Sequence, residues 1–329
     1  MPYKIDIGAV YNIAPDRHNA SDKKAFVPCQ KEMVFDIDMN DYDDVRTCCQ
    51  GANICDRCFA YLKIAMHIIT KILSDDFDFT NLLWVFSGRR GIHAWVCDEG
   101  AREMTNEMRS AVVSYCNIGV GNEHSQLKLP YPLHPRLEET FSYLMTQFEE
   151  VAIEDHNILS IEKHRDKFIM FLPYSEQSAM ATIWKNMGKA TSMELWKAYK
   201  DFVAKRMDDN KIKKEQLVME NLVMTYLYPR IDANVSTGIN HLLKSPWCIH
   251  PKTGNICVPI DPRRPDNFKC KEVPTLTMVI NELGELGKDI ESLKEEGGSV
   301  TPPCMQPYMK TFKEFLKANR TKNLQEQQK

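Results

Sequence analysis

No stretch of this 329-residue sequence approaches the roughly 18 consecutive apolar residues that a membrane-spanning helix needs. Met1-Pro2-Tyr3-Lys4-Ile5-Asp6 has neither the charge pattern nor the apolar core of a signal peptide, so an intracellular location is expected. Charge of one sign is not in excess either. Lys and Arg number 42 against 45 Asp and Glu, and the formal net charge of −3 argues against an indiscriminate duplex binder, although a local basic site could hold a nucleic acid or a phosphate. No repeat recurs at a solenoid period, and no compositional bias suggests disorder, collagen or a coiled coil. The eleven cysteines are odd in number and unevenly spread, which fits reduced or metal-bound thiols better than a disulfide framework. What remains is a globular chain, 43% hydrophobic, able to bury one large core or two moderate ones.

Within it, Val34-Phe35-Asp36-Ile37-Asp38-Met39 sets two carboxylates among strand formers. Alternation along a strand sends Asp36 and Asp38 to one face and Phe35, Ile37 and Met39 to the other. Two acids sharing a surface recruit a cation or lie on a solvated edge. Oxygen-only ligands suit Mg²⁺ or Mn²⁺.

Glu32 to Met39 and Leu82 to Phe86 read as strands, and Ile92 to Val96 returns after a Gly-containing turn as a hairpin. Phe59 to Leu73 carries Leu62, Ala65, Met66, Ile69, Ile72 and Leu73 as a helical stripe packing on the sheet. From about Ala101 to Tyr226 the pattern is helical, with stripes at Met104–Tyr115, Arg136–Ile153 and Met193–Met207. Trp247–His250 and Ile256–Ile260, bracketing Pro251-Lys252-Thr253-Gly254-Asn255, predict a second hairpin. A charged helix from Thr275 through Leu293, breakers at Gly297-Gly298 and Pro302-Pro303, a last helix from Tyr308 to about Leu316 and a frayed tail over Asn323 to Lys329 complete the reading.

Three further groups carry chemistry. Cys48-Cys49, Cys55 and Cys58 lie in one short loop and could wrap a tetrahedral Zn²⁺ as a structural site, or be four reduced thiols. Ser87-Gly88-Arg89-Arg90-Gly91-Ile92-His93 at the first hairpin tip offers two guanidiniums, flanking glycines, a hydroxyl and an imidazole. That is a candidate polyphosphate clasp, or a solvent-facing turn with two arginines. Asp232, on a strand-like segment, is either a further acid for the site or a cap or turn residue, and Lys244 and His250 follow it, each unremarkable alone.

Together the segments PYKIDIGAVY, VFDIDMNDYDDVRTCC, LWVFSGRRGIHAWVCDE, YPRIDANVSTGINHLLKSPWCIHPKTG and VPID resemble the small catalytic subunits of eukaryotic DNA primases, in the archaeo-eukaryotic primase family. The resemblance is tight over the first hundred residues and over about 228–261. It implies a mixed α/β fold with a structural zinc module and an inserted α-helical subdomain. The implied divisions are a catalytic core of residues 1–100 and 226–275 with the zinc module at 48–58, a helical subdomain at 101–225 and a helical tail at 276–329. It implies DNA-templated synthesis of short RNA primers in the nucleus. Asp36, Asp38 and Asp232 match the carboxylates that hold two catalytic Mg²⁺ or Mn²⁺ ions. Ser87, Arg89, Arg90 and His93, then Lys244 and His250, match the triphosphate-binding block, Asp6 matches an acid near the ribose, and Cys48, Cys49, Cys55 and Cys58 match the zinc ligands. Arg89, Arg90, Lys244 and His93 would hold the phosphates in line for attack. Implied partners are the primase large subunit, the DNA polymerase alpha complex, a single-stranded DNA template and ribonucleoside triphosphates, with no membrane. A further N-terminal segment precedes PYKIDIG in the family, so one expectation is a shortened form that binds nucleotide and serves as a scaffold with impaired turnover. Paired aspartates also serve metal-dependent nucleases, against which the arginine clasp argues.

Overall fold

In a computed structural model, residues 4–14, 16–17, 24–119, 127–286 and 301–326 are described. The strands are β1 (Asp6–Ile7), β2 (Val10–Tyr11), β3 (Pro28–Gln30), β4 (Met33–Asp38), β5 (Leu82–Phe86), β6 (Gly91–Val96), β7 (Leu243–Lys244) and β8 (Pro259–Ile260). The helices are α1 (Asp56–Phe77), α2 (Glu99–Arg102), α3 (Asn106–Cys116), α4 (Pro135–Phe148), α5 (Glu162–Met170), α6 (Tyr174–Met187), α7 (Ser192–Asp208), α8 (Val218–Leu227), α9 (Ala233–Thr237), α10 (Leu276–Glu285) and α11 (Gln306–Glu326). The fold is mixed α/β, and two compact units divide it: residues 1–38, 69–116 and 231–329, and residues 39–68 and 117–230.

The first unit holds an antiparallel sheet of order β4-β6-β5-β8. Its register places Val34 opposite Trp95 and Asp36 opposite His93, and then Leu83 opposite Trp95 and Val85 opposite His93. Alternation therefore fixes two faces. Met33, Phe35, Ile37, Ala94 and Trp84 are wholly buried on one, where the Trp84 indole donates to Thr70 Oγ1 at 2.8 Å. The opposite face is apolar at one end, where Val34, Leu83, Val85 and Trp95 pack with Val235, Leu243, Cys248, Cys257, Phe312 and Phe315. Its other end carries Asp36 and Asp38. The same strand thus belongs to the core and to the acidic surface.

The entry to β4 is pinned by Arg109, 1% exposed, whose guanidinium donates to the carbonyls of Lys31 (2.5 Å), Glu32 (3.3 Å), Ala101 (3.2 Å), Arg102 (3.2 Å) and Met104 (3.1 Å). A buried charge is tolerable only when so fully bonded, and here five carbonyls, two of them at the end of α2, gain a donor in return.

The second unit is helical. A capping box at Thr191 and Glu194 starts α7, and His134 with Pro135 starts α4, which runs on into a π-helical turn at Glu149–Asp155. Phe148, Phe168, Trp184, Trp196, Tyr199 and Tyr226 form its aromatic core.

Several sequence expectations shift. Asp232 is not on a strand: it is the N-cap of α9. The second hairpin is present without regular strands: its limbs meet at a bridge between Ile249 and Ile256 and through Trp247 N to Cys257 O (2.7 Å), Cys257 N to Cys248 O (2.8 Å) and His250 N to Asn255 O (2.8 Å), and Trp247 takes a left-handed φ of 69°. Of that segment only Pro259–Ile260 is a strand, and it pairs with β5. Helix α1 is longer than its apolar stripe by a turn at its C-terminal end, and α11 continues through Glu326 across most of the expected frayed tail. The expected helix to Leu293 is seen as α10; its remainder and Gly297-Gly298 lie outside the described residues.

Candidate functional site

The site begins with the alternation of β4. Asp36 and Asp38 share a face, and their side chains are 27% and 37% exposed. Behind Asp36, His93 Nε2 stands 3.5 Å from Oδ1. Burial, with Lys244 adding repulsion, pushes the His93 pKa down to about 3, so the imidazole is neutral and meets the carboxylate as a dipole. His93 therefore brings no positive charge to the expected phosphate holder. Asp38 is held by Arg90, whose Nε lies 2.8 Å from Oδ1 and 2.9 Å from Oδ2. The third acid arrives through the backbone: Asp232 N donates to Asp36 O at 3.0 Å. Asp232 Oδ1 accepts from Asn234 N at 3.0 Å, so the residue is both a helix cap and a neighbour of β4.

The hairpin turn after β5 is built from its own polar atoms. Ser87 N donates to Gly91 O (2.9 Å) and Gly91 N donates to Ser87 Oγ (3.0 Å), which closes the loop that carries Arg89 and Arg90. Gly91 must be glycine because a Cβ there would meet Ile37 O at 2.8 Å. Gly88 has φ +85°, and a Cβ would lie 2.8 Å from His250 Cβ and 3.2 Å from Cys257 Sγ. The segment after β7 packs that closely because it is bonded to the turn: Lys244 Nζ and Cys257 Sγ (3.3 Å) donate to Ser87 O, and Thr253 Oγ1 donates to Gly88 O at 2.7 Å. β1 pairs with β7 so that Asp6 stands opposite Lys244, with its carboxylate 3.0 Å from Lys4 Nζ.

His250 reports the field in this corner. Burial, then the charges of Lys244, Arg89, Lys252 and Arg90, lower its pKa to about 4. Four cations lie around His250 and add to burial in disfavouring its protonation. The structure thus brings Ser87, Arg89, Arg90, Lys244, His250 and, by strand pairing, Asp6 to one corner, with Asp36, Asp38 and Asp232 around β4 beside it. Sequence reasoning did not single out Lys252, Thr253, Cys257 or Cys248, whose Sγ accepts from Ile5 N at 3.1 Å and so ties β1 in place. The hairpin-turn signal at 251–255 was the one clue to the first two, since such a turn has to face something.

In the second unit, Cys48, Cys49, Cys55 and Cys58 place their sulfurs within 4.8 Å of one another. Cys55 Sγ is 3.4 Å from Cys48 Sγ and 3.9 Å from Cys58 Sγ. A tetrahedron with Zn–S bonds of about 2.3 Å has edges of about 3.8 Å, whereas a disulfide would need about 2.05 Å. The four sulfurs can hold zinc. Burial opposes ionisation of Cys55, but N–H donors of its own loop and the neighbouring thiols bring its pKa down to about 7; burial pushes Cys48 up. Arg46, its side chain fully buried, donates to Gly51 O and Asn53 O at 2.9 Å each and reaches Cys58 Sγ at 3.7 Å. It shapes the loop and offsets thiolate charge. His156 spans the loop, with Nδ1 accepting from Thr47 N at 3.0 Å and Nε2 3.4 Å from Arg57 O.

Residues 35–262 match the DNA primase small subunit family. The chain is 38% identical over 289 residues to a DNA primase small subunit of Schizosaccharomyces pombe, covering 86% of this chain and 63% of that protein. It is 34% identical over 323 residues to the DNA primase small subunit of Saccharomyces cerevisiae, covering 96% and 75% respectively, and 35% identical over 308 residues to that of Drosophila melanogaster, covering 89% and 69%.

Proposed function

The chain belongs to the DNA primase small subunit family, and on that premise we propose that it is the catalytic primase subunit, joining ribonucleoside triphosphates into short RNA primers on a single-stranded DNA template. One observation carries the reading. An acidic surface on β4 adjoins a turn where Arg89, Arg90, Lys244 and Lys252 crowd a neutral His250. Metal-bound triphosphate needs that arrangement, with acids on one side and cations on the other.

The donor set of Asp36, Asp38 and Asp232 is all carboxylate oxygen, which fits Mg²⁺ or Mn²⁺. Two such ions, when bound, would activate the primer 3′-hydroxyl and neutralise the leaving pyrophosphate. Arg89, Lys244 and Lys252 hold the phosphates in line, and Arg90 has two partners within reach, Asp38 and a phosphate oxygen. Ser87 keeps the turn closed through its N–H and hydroxyl, and His93 positions Asp36 without adding charge. Asp6, opposite Lys244, is placed to read the ribose. The four-cysteine loop holds a structural zinc with no coordination position left for chemistry. In this reading the chain works in the nucleus with a primase large subunit and the DNA polymerase alpha complex.

The test is primer extension with Mn²⁺ or Mg²⁺, ribonucleotides and a single-stranded template. Asp36→Ala and Asp38→Ala should each lower extension to below about 1% of wild type, as expected for loss of a metal ligand. Extension surviving both changes, or template cleavage in place of extension, would overturn the assignment.

A further inference from the structure

Lys31, between β3 and β4, is 1% exposed, and its ammonium donates to the backbone carbonyl of His241. Burying a charge costs stability, and a carbonyl offsets less of that cost than a carboxylate would. Burial, with repulsion from Arg109 added, lowers the Lys31 pKa to about 8 while Glu32 pulls the other way, so the group stays mostly charged at pH 7. The bond to His241 is therefore charge-assisted. Lys31 is itself held on both sides: its N–H donates to Arg102 O at 3.0 Å, and its carbonyl accepts from Arg109 at 2.5 Å.

His241 stands three residues before Lys244, in a segment with little regular structure of its own. β7 is two residues long and pairs with the two residues of β1. So short a ribbon does not keep its place unaided. Leu243 is buried in the cluster of Val34 and Trp95, whereas Leu242 is 57% exposed, so the approach to β7 has one apolar anchor. Its other fastenings are polar. Ile239 N donates to the Oδ1 of Asn106, the first residue of α3, at 2.9 Å, and Lys31 takes His241 O. Helix α3 thus bears on this approach twice, directly through Asn106 and through the grip of Arg109 on Lys31. At the other end, Lys244 Nζ donates to Ser87 O in the turn that carries Arg89 and Arg90. Three residues of extended chain span about 10 Å, short enough for a shift at His241 to reach Lys244.

We propose that Lys31 is a positioning residue for nucleoside triphosphate binding: by holding His241 it sets the place of β7, and so where Lys244 meets the phosphates. The inference rests on the reading of Lys244 as a phosphate holder in the primase site. It gives a task to a buried cation that lies outside the site.

Calorimetric titration of ATP with Mg²⁺ into the full chain, without template, reads the effect apart from catalysis. Lys31→Met, which keeps the volume and removes the charge, should bind ATP about tenfold more weakly. Its melting temperature should stay within about 5 °C of wild type, because relief of the buried charge offsets the lost bond. In primer extension on an oligodeoxythymidylate template, the KM for ATP should rise by a similar factor with kcat within about twofold, since Lys244 grips the phosphates alike before and during reaction. In a Lys244→Ala background, Lys31→Met should add less than about twofold, because the side chain it positions is gone. Losses that multiply in the double variant, a fall in kcat with KM unchanged, or wild-type affinity in Lys31→Met would overturn the proposal. If Lys31→Met melts earlier than that margin, Lys31→Gln takes its place and the same coupling to Lys244→Ala decides. The two readings fail separately: ATP affinity that depends on Lys31 in a chain that extends no primer keeps the inference and loses the primase reading, and extension indifferent to Lys31 does the reverse.

Discussion

Gly88 shows how little slack the turn after β5 has. Its φ of +85° suits glycine, and a methyl group would press on both His250 and Cys257. Gly88→Ala should therefore cost about 1–3 kcal/mol of stability and weaken nucleotide triphosphate binding by about tenfold, read by melting temperature and equilibrium titration. Full affinity in a variant of unchanged melting temperature would show that the close approach is unnecessary. At this scale the sequence was informative about residue types and poor about partners. Two adjacent arginines between glycines were visible, but only the fold reveals that Arg90 rests on Asp38 whereas Arg89 lies with the cations around His250. His93 was read as the imidazole of the candidate clasp, and its burial opposite Asp36 could not be read without the register. Asp232 is the helix cap that one of its two readings expected, on a short helix that begins where its backbone meets β4.

Among the elements, the β5–β6 hairpin and α1 were legible because alternation and the helical stripe are local signals. The segment 247–260 was legible in part: its two limbs do bond, through Cys257 with Trp247 and Cys248, but the left-handed Trp247 packed against Phe312 has no local signal. The cysteine loop was legible from spacing, but its brace was not: His156 is about a hundred residues away in sequence. Because it ties Thr47, just before the first cysteine pair, to Arg57 between the second, it orients both limbs of the loop. His156→Ala should lower zinc affinity about 10- to 100-fold, as loss of an orienting partner does, measured by competition with a chromogenic chelator. Wild-type affinity in that variant would reduce His156 to a packing residue.

At the scale of the whole molecule, compactness groups the cysteine loop with residues 117–230. Within that unit Asp44 is the junction: burial opposes its charge, but Arg230 and Lys167 hold its pKa below the ordinary carboxylate value. Arg230 also donates to Asp41 O and Thr225 O, and its chain leads directly into Asp232. Stripping zinc should then raise amide exchange in 45–58 and 149–160 by about tenfold or more and leave the β4-β6-β5 sheet protected. Exchange rising equally in that sheet would contradict the division into two units. The mixed α/β class was evident from the sequence, whereas the grouping of distant segments was not, because it depends on contacts such as Arg230 with Asp44, nearly two hundred residues apart.

The alternation of β4 has a consequence for how errors in folding are sorted. A slip of one residue against β6 would turn Asp36 and Asp38 into the core and leave Phe35 and Ile37 in water. The same mistake that abolishes the acidic surface therefore also abolishes the hydrophobic packing, and it cannot persist as a well-folded, inactive isomer. Quality control that inspects only exposed apolar surface would, for this chain, also be inspecting the strand that carries Asp36 and Asp38.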